Sequence, residues 1–203
     1  MTGGRGQQTR DDILRAGARL FALHGYYHTS MKEILEAVAM SKGAFYHYFK
    51  SKEDFALAVV ARMRAEYEQV IQAAGQVPAG QRIGAVLDRF VELNESGQWY
   101  NGLLLARLIQ ESHQGEGELA KEVLELIRWL RDYWKELLVE GQSAGMVRTE
   151  LEAEVCAELL TSVWLGAIPC RELEDGFIHL RQIADQIKKL MMIQAEGNQI
   201  SQE

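Results

Sequence analysis

The chain is organised around residues 30–52, SMKEILEAVAMSKGAFYHYFKSK, which predict two short helices, a tight turn between them and the start of a third helix. Ser30 is followed by Glu33 at the spacing of a capping box, in which each side chain accepts a hydrogen bond from the other residue's backbone N–H. A helix is therefore expected to begin at Met31. Residues 38–40, Val-Ala-Met, are interpreted as the turn.

A second helix is predicted directly after the turn, with Ser41 as its N-cap and Lys42 as its first residue. Phe45 and Phe49 are four residues apart, so both can lie on the side of this segment that packs against the core. Ser51 is the expected cap of the third helix. This arrangement is typical of a helix-turn-helix motif, whose second helix enters the major groove of DNA.

The second helix carries small and polar residues suited to DNA recognition. Gly43 and Ala44 allow a close approach to the DNA, and Lys42 can reach guanine edges or phosphates. Residues 46–48, Tyr-His-Tyr, can donate hydrogen bonds to the DNA backbone or contact a thymine methyl. An ordinary helical hairpin with exposed aromatic side chains is the alternative. We favour DNA binding, because a consecutive exposed Tyr-His-Tyr is unusual without a partner.

The N-terminal part of the chain also resembles the TetR-type transcriptional regulators, from Thr9 to roughly Val60. One departure lies in the turn, where the family often has Ala-Gly-Val and this chain has Ala39 in place of the glycine. The turn can therefore differ slightly in shape. The resemblance rests on Ile13, Leu14, Leu20, Phe21, Gly25, Tyr26, Thr29, Ser30, Ile34, the run from Ser41 to Phe49, Lys52 and Glu53.

The resemblance implies how these residues would contact DNA. Lys42, Gly43 and Ala44 would approach base edges, and His47 would contact either bases or phosphates. The residues expected to bind mainly phosphates are Ser41, Tyr46, Tyr48 and Lys52. The resemblance further implies a homodimer on a palindromic operator of double-stranded DNA, and a repressor whose small-molecule effector releases it from that operator.

The charge distribution supports a DNA-binding head on a separate body. The chain has 203 residues and a net charge of −7. Residues 1–65 contain 10 Lys and Arg against 6 Asp and Glu, a balance of +4, whereas the remainder contains 12 against 23, a balance of −11. Such an asymmetry is expected of a basic nucleic-acid-binding head.

The expected compartment is the cytoplasm, and no membrane partner is predicted. No apolar run reaches transmembrane length, and the N-terminus lacks the apolar core of a signal peptide. Two cysteines do not make a disulfide framework.

The helical periodicity predicts an all-α fold, with an N-terminal three-helix helix-turn-helix DNA-binding head on a larger helical-bundle domain. The resemblance implies that this larger domain serves effector binding and dimerisation. The expected divisions are a mobile tail at residues 1–8, the DNA-binding domain at residues 9–52 and the effector-binding and dimerisation domain at residues 53–203.

Several helix boundaries are also predicted. Thr9 is expected to cap the first helix, which ends near His24 with that residue on its buried side, and Pro169 is expected to separate the last two helices. The other predicted helices cover about residues 52–74, 81–96, 103–112, 118–143, 150–168 and 173–193.

Apolar rows run along the last two predicted helices. In proteins that resemble this family, these helices pair with the same helices of a second subunit as a four-helix bundle, and a two-fold dimer also suits a palindrome. The alternative is that the rows only fill the core of the monomer, which would explain some of their residues. The rows are Leu151, Val155, Leu159, Ser162, Val163 and Gly166, then Phe177, Leu180, Ala184, Ile187 and Met191.

Aromatic residues are concentrated in the C-terminal body, and the resemblance implies an effector pocket among the fourth to eighth helices. Ligand pockets are lined mainly by apolar and aromatic groups, so a small apolar or aromatic effector is expected. Ordinary core packing is the alternative for any one of these residues. The hypothesised lining is Tyr67, Trp99, Tyr100, Trp134 and Trp164.

Other chemistry is only weakly indicated, and neither a metal nor a cofactor is predicted. His113 and His179 lack a partner at metal-ligand spacing. Cys156 is expected in the core, and Cys170 is the better of two weak candidates for a redox sensor. An enzyme would need a convergent acid, base or nucleophile constellation, which the sequence does not contain. An architectural DNA-binding protein without an effector is a third hypothesis.

Overall fold

The structure is a computed structural model that describes residues 3–78, 81–97, 99–112, 117–171 and 179–192, with backbone only for residues 3–7 and 171. Within these ranges it contains helices and no strand, and the predicted all-α fold is confirmed. The helices are α1 (Gly3–His24), α2 (Met31–Ala37), α3 (Lys42–Tyr46), α4 (Lys52–Ala74), α5 (Arg82–Glu95), α6 (Asn101–Ser112), α7 (Glu118–Ser143), α8 (Ala153–Arg171) and α9 (Leu180–Met191).

Local side-chain caps define the starts of α2, α3 and α4. The predicted capping box is confirmed: Glu33 donates its N–H to Ser30 Oγ at 3.2 Å, and the Glu33 carboxylate accepts the Ser30 N–H at 2.6 Å. Ser41 and Ser51 each accept a hydrogen bond from the backbone N–H three residues later, at 3.3 and 3.0 Å. Helices as short as α2 and α3 are unstable alone, so the caps and the core together hold them.

The head is held together by a cluster of phenylalanine rings. Phe55, at the start of α4, lies 4.9 Å from the ring centroid of Phe49 and 5.3 Å from that of Phe45. Phe21 of α1 completes the cluster, and all four rings are essentially inaccessible to water. A Cβ atom at Gly17 would collide with the Phe55 ring, so glycine permits the close packing of α1 on α4.

Helix α1 departs from its predicted boundaries at both ends. It begins at Gly3, so the cap expected at Thr9 is wrong, and the segment expected to be a tail at residues 1–8 is helical from Gly3 onward. Glycine disfavours a helix by about 1 kcal/mol per residue relative to alanine but does not forbid one. His24 is exposed rather than buried, because α1 ends there and the chain turns away at Gly25, whose φ is +84°.

Helix α8 continues through Pro169 to Arg171, so the proline does not separate the last two helices as predicted. A proline removes one backbone donor and crowds the carbonyl four residues earlier. At this position that disruption is confined to the last turn of the helix. The start predicted for the following helix, near Leu173, lies outside the described residues, and the described part of that helix is α9.

Two helices connect the head with the body. Helix α1 packs against both α4 and α6, and the same two helices pack against α7. Helix α8 lies against α6 and α7, whereas α9 packs mainly against α5. A displacement of α4 or α6 within the body would therefore change the packing of α1.

Candidate DNA-binding surface and ligand cavity

Helix α3 presents small and polar residues to solvent because its other side is anchored in the head. Phe45 is fully buried against Phe49 and Phe55. Of the residues predicted to contact DNA, Ala44, Tyr48 and Lys52 are half-buried, and the exposed ones are Ser41, Lys42, Gly43, Tyr46 and His47. All eight lie on α3, on its flanking residues or at the start of α4, so one surface can present them together.

The α3 surface has the shape and chemistry for a close approach to a groove. A Cβ atom added at Gly43 would meet nothing within 4 Å, so the surface is open at that point. Lys42 supplies an exposed positive charge, and the hydroxyl groups of Ser41 and Tyr46 supply further hydrogen-bonding groups. The specific contacts assigned to these residues remain predictions.

Lys52 is more enclosed than the other predicted DNA contacts. Its Nζ lies 4.4 Å from the centroid of the Tyr26 ring, as in a cation–π interaction. Burial lowers the pKa of Lys52, although the nearby carboxylates of Glu111 and Glu33 oppose that shift. To reach a phosphate, the Lys52 ammonium would exchange part of this environment for the DNA backbone.

A carboxylate from the body binds the loop between α1 and α2. Glu111, near the end of α6, is 7% exposed, and its Oε2 accepts the backbone N–H of Tyr26 at 2.7 Å. A Cβ atom at the preceding Gly25 would collide with this carboxylate. His28 Nδ1 lies 3.8 Å from the other oxygen of Glu111. The role of Glu111 could not be predicted from the sequence, because its partner is distant in the chain.

A polar chain makes a second connection between head and body. Asp11 of α1 accepts a hydrogen bond at 2.8 Å from Arg62 Nε of α4, and Arg62 also pairs with Glu66. Glu66 in turn accepts a hydrogen bond at 2.6 Å from Asn101 Nδ2, at the start of α6. Burial opposes ionisation of Asp11, but its hydrogen bond with Arg62 and the arginine charge outweigh that effect and lower the pKa of the carboxyl.

The body encloses a small cavity of about 30 Å³ between α4, α5, α6, α7 and α8. Most of its walls are apolar or aromatic. Its lining comprises Tyr67, Phe90, Gly102, Leu105, Ile127, Leu130, Trp134, Thr161, Trp164, Leu165 and Ile168. Because α4 and α6 both line this cavity and contact α1, a change in cavity size can reach the head.

The residues predicted to bind an effector fall into two places. Tyr67, Trp134 and Trp164 line the cavity. Trp99 and Tyr100 instead line a groove of about 330 Å³ between α1, α4 and the start of α6. The two places adjoin, since the Trp99 ring stacks on Phe90 of the cavity wall with centroids 5.8 Å apart.

The apolar rows predicted for dimerisation differ in solvent exposure between the two C-terminal helices. On α9, Leu180, Ala184 and Met191 are buried, and α9 packs mainly on α5 of the same chain. Phe177 lies outside the described residues. On α8, Val155 and Leu159 are 46% and 54% exposed.

The exposed row of α8 continues along one side of that helix. Ser162 and Gly166 are also exposed, and a Cβ atom at Gly166 would meet nothing within 4 Å. By length and composition alone, Ala153–Cys170 is apolar enough to cross a membrane, and 28% of this window is buried. Among the described residues, the core of the monomer therefore does not account for this face.

The two cysteines are in different environments. Cys156 is buried, and burial, together with the neighbouring Glu152, raises the pKa of its thiol. Cys170 is half-buried. Among the residues that the structure describes, no three His, Cys, Asp or Glu side chains come close enough to hold a metal ion. His113 lies outside those residues.

Two family models match the chain. The model described as bacterial regulatory proteins, tetR family, matches residues 13–59. The model described as the tetracyclin repressor-like C-terminal domain matches residues 79–187. Together they cover the helix-turn-helix motif and most of the helical body.

Named relatives match over most of their length. The HTH-type transcriptional repressor DhaR of Mycobacterium sp. (strain GP1) is 26% identical over 169 residues, 81% of this chain and 83% of that protein. The HTH-type transcriptional repressor NemR of Escherichia coli (strain K12) is 25% identical over 186 residues, 90% of this chain and 94% of that protein.

Solved structures share the fold. The crystal structure of E. coli NemR in its reduced form has a TM-score of 0.78 at 24% identity, covering 93% of this chain and 99% of that one. AibR in complex with isovaleryl coenzyme A and operator DNA has a TM-score of 0.70 at 23% identity, covering 90% of this chain and 97% of that one. At these identities the likeness establishes the fold alone.

Proposed function

Because the chain belongs to the TetR family of bacterial transcriptional regulators, as the resemblance from Thr9 to roughly Val60 predicted, we propose that it is a repressor that binds a palindromic operator as a homodimer. It is a DNA-binding regulator and not an enzyme, as its family and its named relatives indicate. The observation that carries the proposal is the exposed surface of α3, which is held in place by the buried Phe45 and the Ser41 cap.

In this proposal α3 enters the major groove with its N-terminal end first. Lys42, Gly43 and Ala44 approach base edges, where a lysine can contact guanine and small residues allow close contact. Ser41, Tyr46, Tyr48 and Lys52 bind mainly phosphates, and His47 contacts either. Phosphate contacts fix the register of the protein on the duplex, and base contacts give the sequence preference.

The exposed row of α8 is the proposed centre of the dimer interface. Val155, Leu159 and Gly166 recur at helical spacing on a side of α8 that the rest of the described chain leaves uncovered. A stable interface buries about 1,200–2,000 Å² in total, so further residues beside this row would take part. We interpret the apolar composition of α8 as that of a subunit contact rather than of a membrane span, and we place the protein in the cytoplasm with its operator.

The proposed effector is a small apolar or aromatic molecule that enters the body at the cavity. It favours a conformer in which α4, or α6 with it, is displaced, so that the two heads no longer match the spacing of the half-sites. An effector can shift this equilibrium only through its different affinities for the two conformers. AibR, which shares the fold, was solved with both a small molecule and operator DNA. That precedent supports the general scheme but not a particular ligand.

Fluorescence anisotropy with the purified full chain tests the proposal. The labelled duplexes would be the region flanking the protein's own gene and a scrambled duplex of the same composition, each at two salt concentrations. A specific regulator should bind the flanking duplex about a thousandfold more tightly or better. Equal affinities that fall steeply with salt would indicate only phosphate binding and contradict a regulator that acts at its own gene.

A further inference from the structure

Trp164, whose side chain lines the cavity, carries a hydrogen-bond donor without a partner. Trp164 lines the cavity and is 9% exposed, and its indole Nε1 is fully buried. Among the buried side-chain nitrogen and oxygen atoms in the described part of the chain, this is the one that makes no hydrogen bond. Buried polar groups in proteins are nearly always paired, so an unpaired N–H on a residue that lines a cavity suggests that a ligand supplies the acceptor when the cavity opens.

The remainder of the cavity wall is electrically neutral. Among the side chains that the structure describes, no Lys, Arg, Asp or Glu lines the cavity. Burial, reinforced by the nearby Glu66, raises the pKa of the Tyr67 hydroxyl, which therefore stays protonated. Thr161 already donates its hydroxyl proton to the Ala157 carbonyl at 2.9 Å. An ionised ligand would lose its hydration here without gaining a countercharge, which is strongly unfavourable.

We propose that the ligand of this cavity is an uncharged, mostly apolar molecule with one carbonyl or ether oxygen that accepts a hydrogen bond from Trp164 Nε1. The inference rests on the proposed function, because it names the chemical class of the effector. It goes further by assigning one residue as the polar anchor and by excluding carboxylates and amines.

The size of the cavity adds a condition on the conformer that binds. A cavity of about 30 Å³ has room for about one water molecule, whereas small-molecule pockets span roughly 300–1,000 Å³. In this proposal the structure is the closed form, and the ligand occupies a form in which the five lining helices have moved apart. Of those helices, α4 and α6 also pack against α1 in the head.

Three probes of nearly equal shape test the ligand class. They are acetylnaphthalene, isopropenylnaphthalene and the naphthoate anion, each substituted at the same ring position. Equilibrium dialysis with the full chain gives their affinities without relying on tryptophan fluorescence. The ketone should bind about tenfold more tightly than the hydrocarbon, the gain expected of one buried hydrogen bond. Naphthoate should bind weakest.

The variant Trp164→Phe keeps an aromatic ring but removes the donor. It should lose the tenfold preference for the ketone and leave the affinity for the hydrocarbon nearly unchanged. The matched control is Trp129→Phe, because the Trp129 ring packs beneath Arg64 and outside the cavity lining. That control should keep all three affinities.

Each other outcome would overturn the inference. The inference fails if the wild-type protein binds ketone and hydrocarbon equally, or binds naphthoate most tightly. It also fails if Trp164→Phe loses affinity equally for both neutral probes, because Trp164 would then not donate a hydrogen bond to the ligand. If Trp164→Phe fails to fold, the ratio of the ketone and hydrocarbon affinities of the wild-type protein still tests the proposed ligand class. Binding of none of the probes by a protein that binds DNA specifically would refute the ligand class alone. Absence of specific DNA binding would instead refute the proposed function.

Discussion

Single residues set the shape of the turn that leads into α3. Ala39 has φ of 51° and is the one non-glycine residue with positive φ in the described part of the chain. It stands where the family often has glycine. An L-residue in this left-handed region is destabilised by roughly 1–2 kcal/mol. The sequence reveals the replacement of glycine by alanine but not the backbone angle.

Replacing Ala39 with glycine should therefore stabilise the protein. The relief of backbone strain is partly offset by the extra entropy of glycine in the unfolded chain, which leaves a gain of about 0.5–1 kcal/mol in the free energy of unfolding. Urea unfolding of Ala39→Gly measures it. Ala61→Gly, at an exposed position inside α4, is the control and should lose about 1 kcal/mol. A loss at Ala39 like that at Ala61 would show that the turn is not strained.

Replacing each of the two lysines assigned to DNA should weaken DNA binding in a different way. Lys42→Ala should weaken binding to the operator by about 1–3 kcal/mol and relax the sequence preference, since Lys42 is assigned to base edges. Lys52→Ala should weaken binding to all DNA sequences about equally. It should also reduce the slope of log K against log salt concentration by up to about one unit. Anisotropy titrations at several salt concentrations separate these effects, with Lys121→Ala on α7 as the control. Unchanged operator affinity in Lys42→Ala would mean that α3 does not read the DNA.

Whole elements differ in how well the sequence reveals them. The starts of α2, α3 and α4 were predictable because their capping bonds span three residues. The bond between Tyr26 and Glu111 joins positions 85 apart, so no local pattern could reveal it. The end of α8 differs from the predicted one because Pro169 lies in the last turn, where the loss of one backbone donor does not prevent two more helical residues. The unpaired N–H of Trp164 likewise depends on the packing of several helices.

Helix α6 spans the distance between the cavity and the head. Gly102 and Leu105 line the cavity near its start, and Glu111 binds the Tyr26 N–H near its end. A bond from a backbone N–H to a buried carboxylate is charge-assisted and stronger than a neutral one. We therefore expect a displacement of α6 at the cavity to be transmitted to the α1–α2 loop through this end of the helix.

Glu111→Gln should loosen this attachment without changing the size of the side chain. The expected loss is about 1–2 kcal/mol in the free energy of unfolding, together with faster hydrogen exchange of the Tyr26 amide. Glu118→Gln is the control, since Glu118 makes only an exposed pair with Lys121 and its removal should have little effect. Unchanged exchange at Tyr26 would show that the bond contributes nothing to the attachment.

At the scale of the whole molecule, the proposed dimer depends on the exposed face of α8. Leu159 is 54% exposed in the single chain, and a carboxylate there would be buried beside the partner in the proposed dimer. Leu159→Asp should therefore shift the protein to monomer while its helical content stays the same. Analytical ultracentrifugation at low micromolar concentration measures the mass. Leu23→Asp, on an exposed part of α1, is the control, and a Leu159→Asp protein that stays dimeric would place the interface elsewhere.

Selection of bound duplexes from a random-sequence pool by the wild-type protein tests directly whether α3 reads a DNA sequence. If α3 of each subunit reads a half-site, the bound duplexes should converge on a palindrome whose half-sites lie one helical turn or more apart. The same selection with Lys42→Ala should enrich that palindrome less strongly. Recovery of unenriched sequences by the wild-type protein, despite tight binding, would contradict the account, because the protein would then bind phosphates without reading bases.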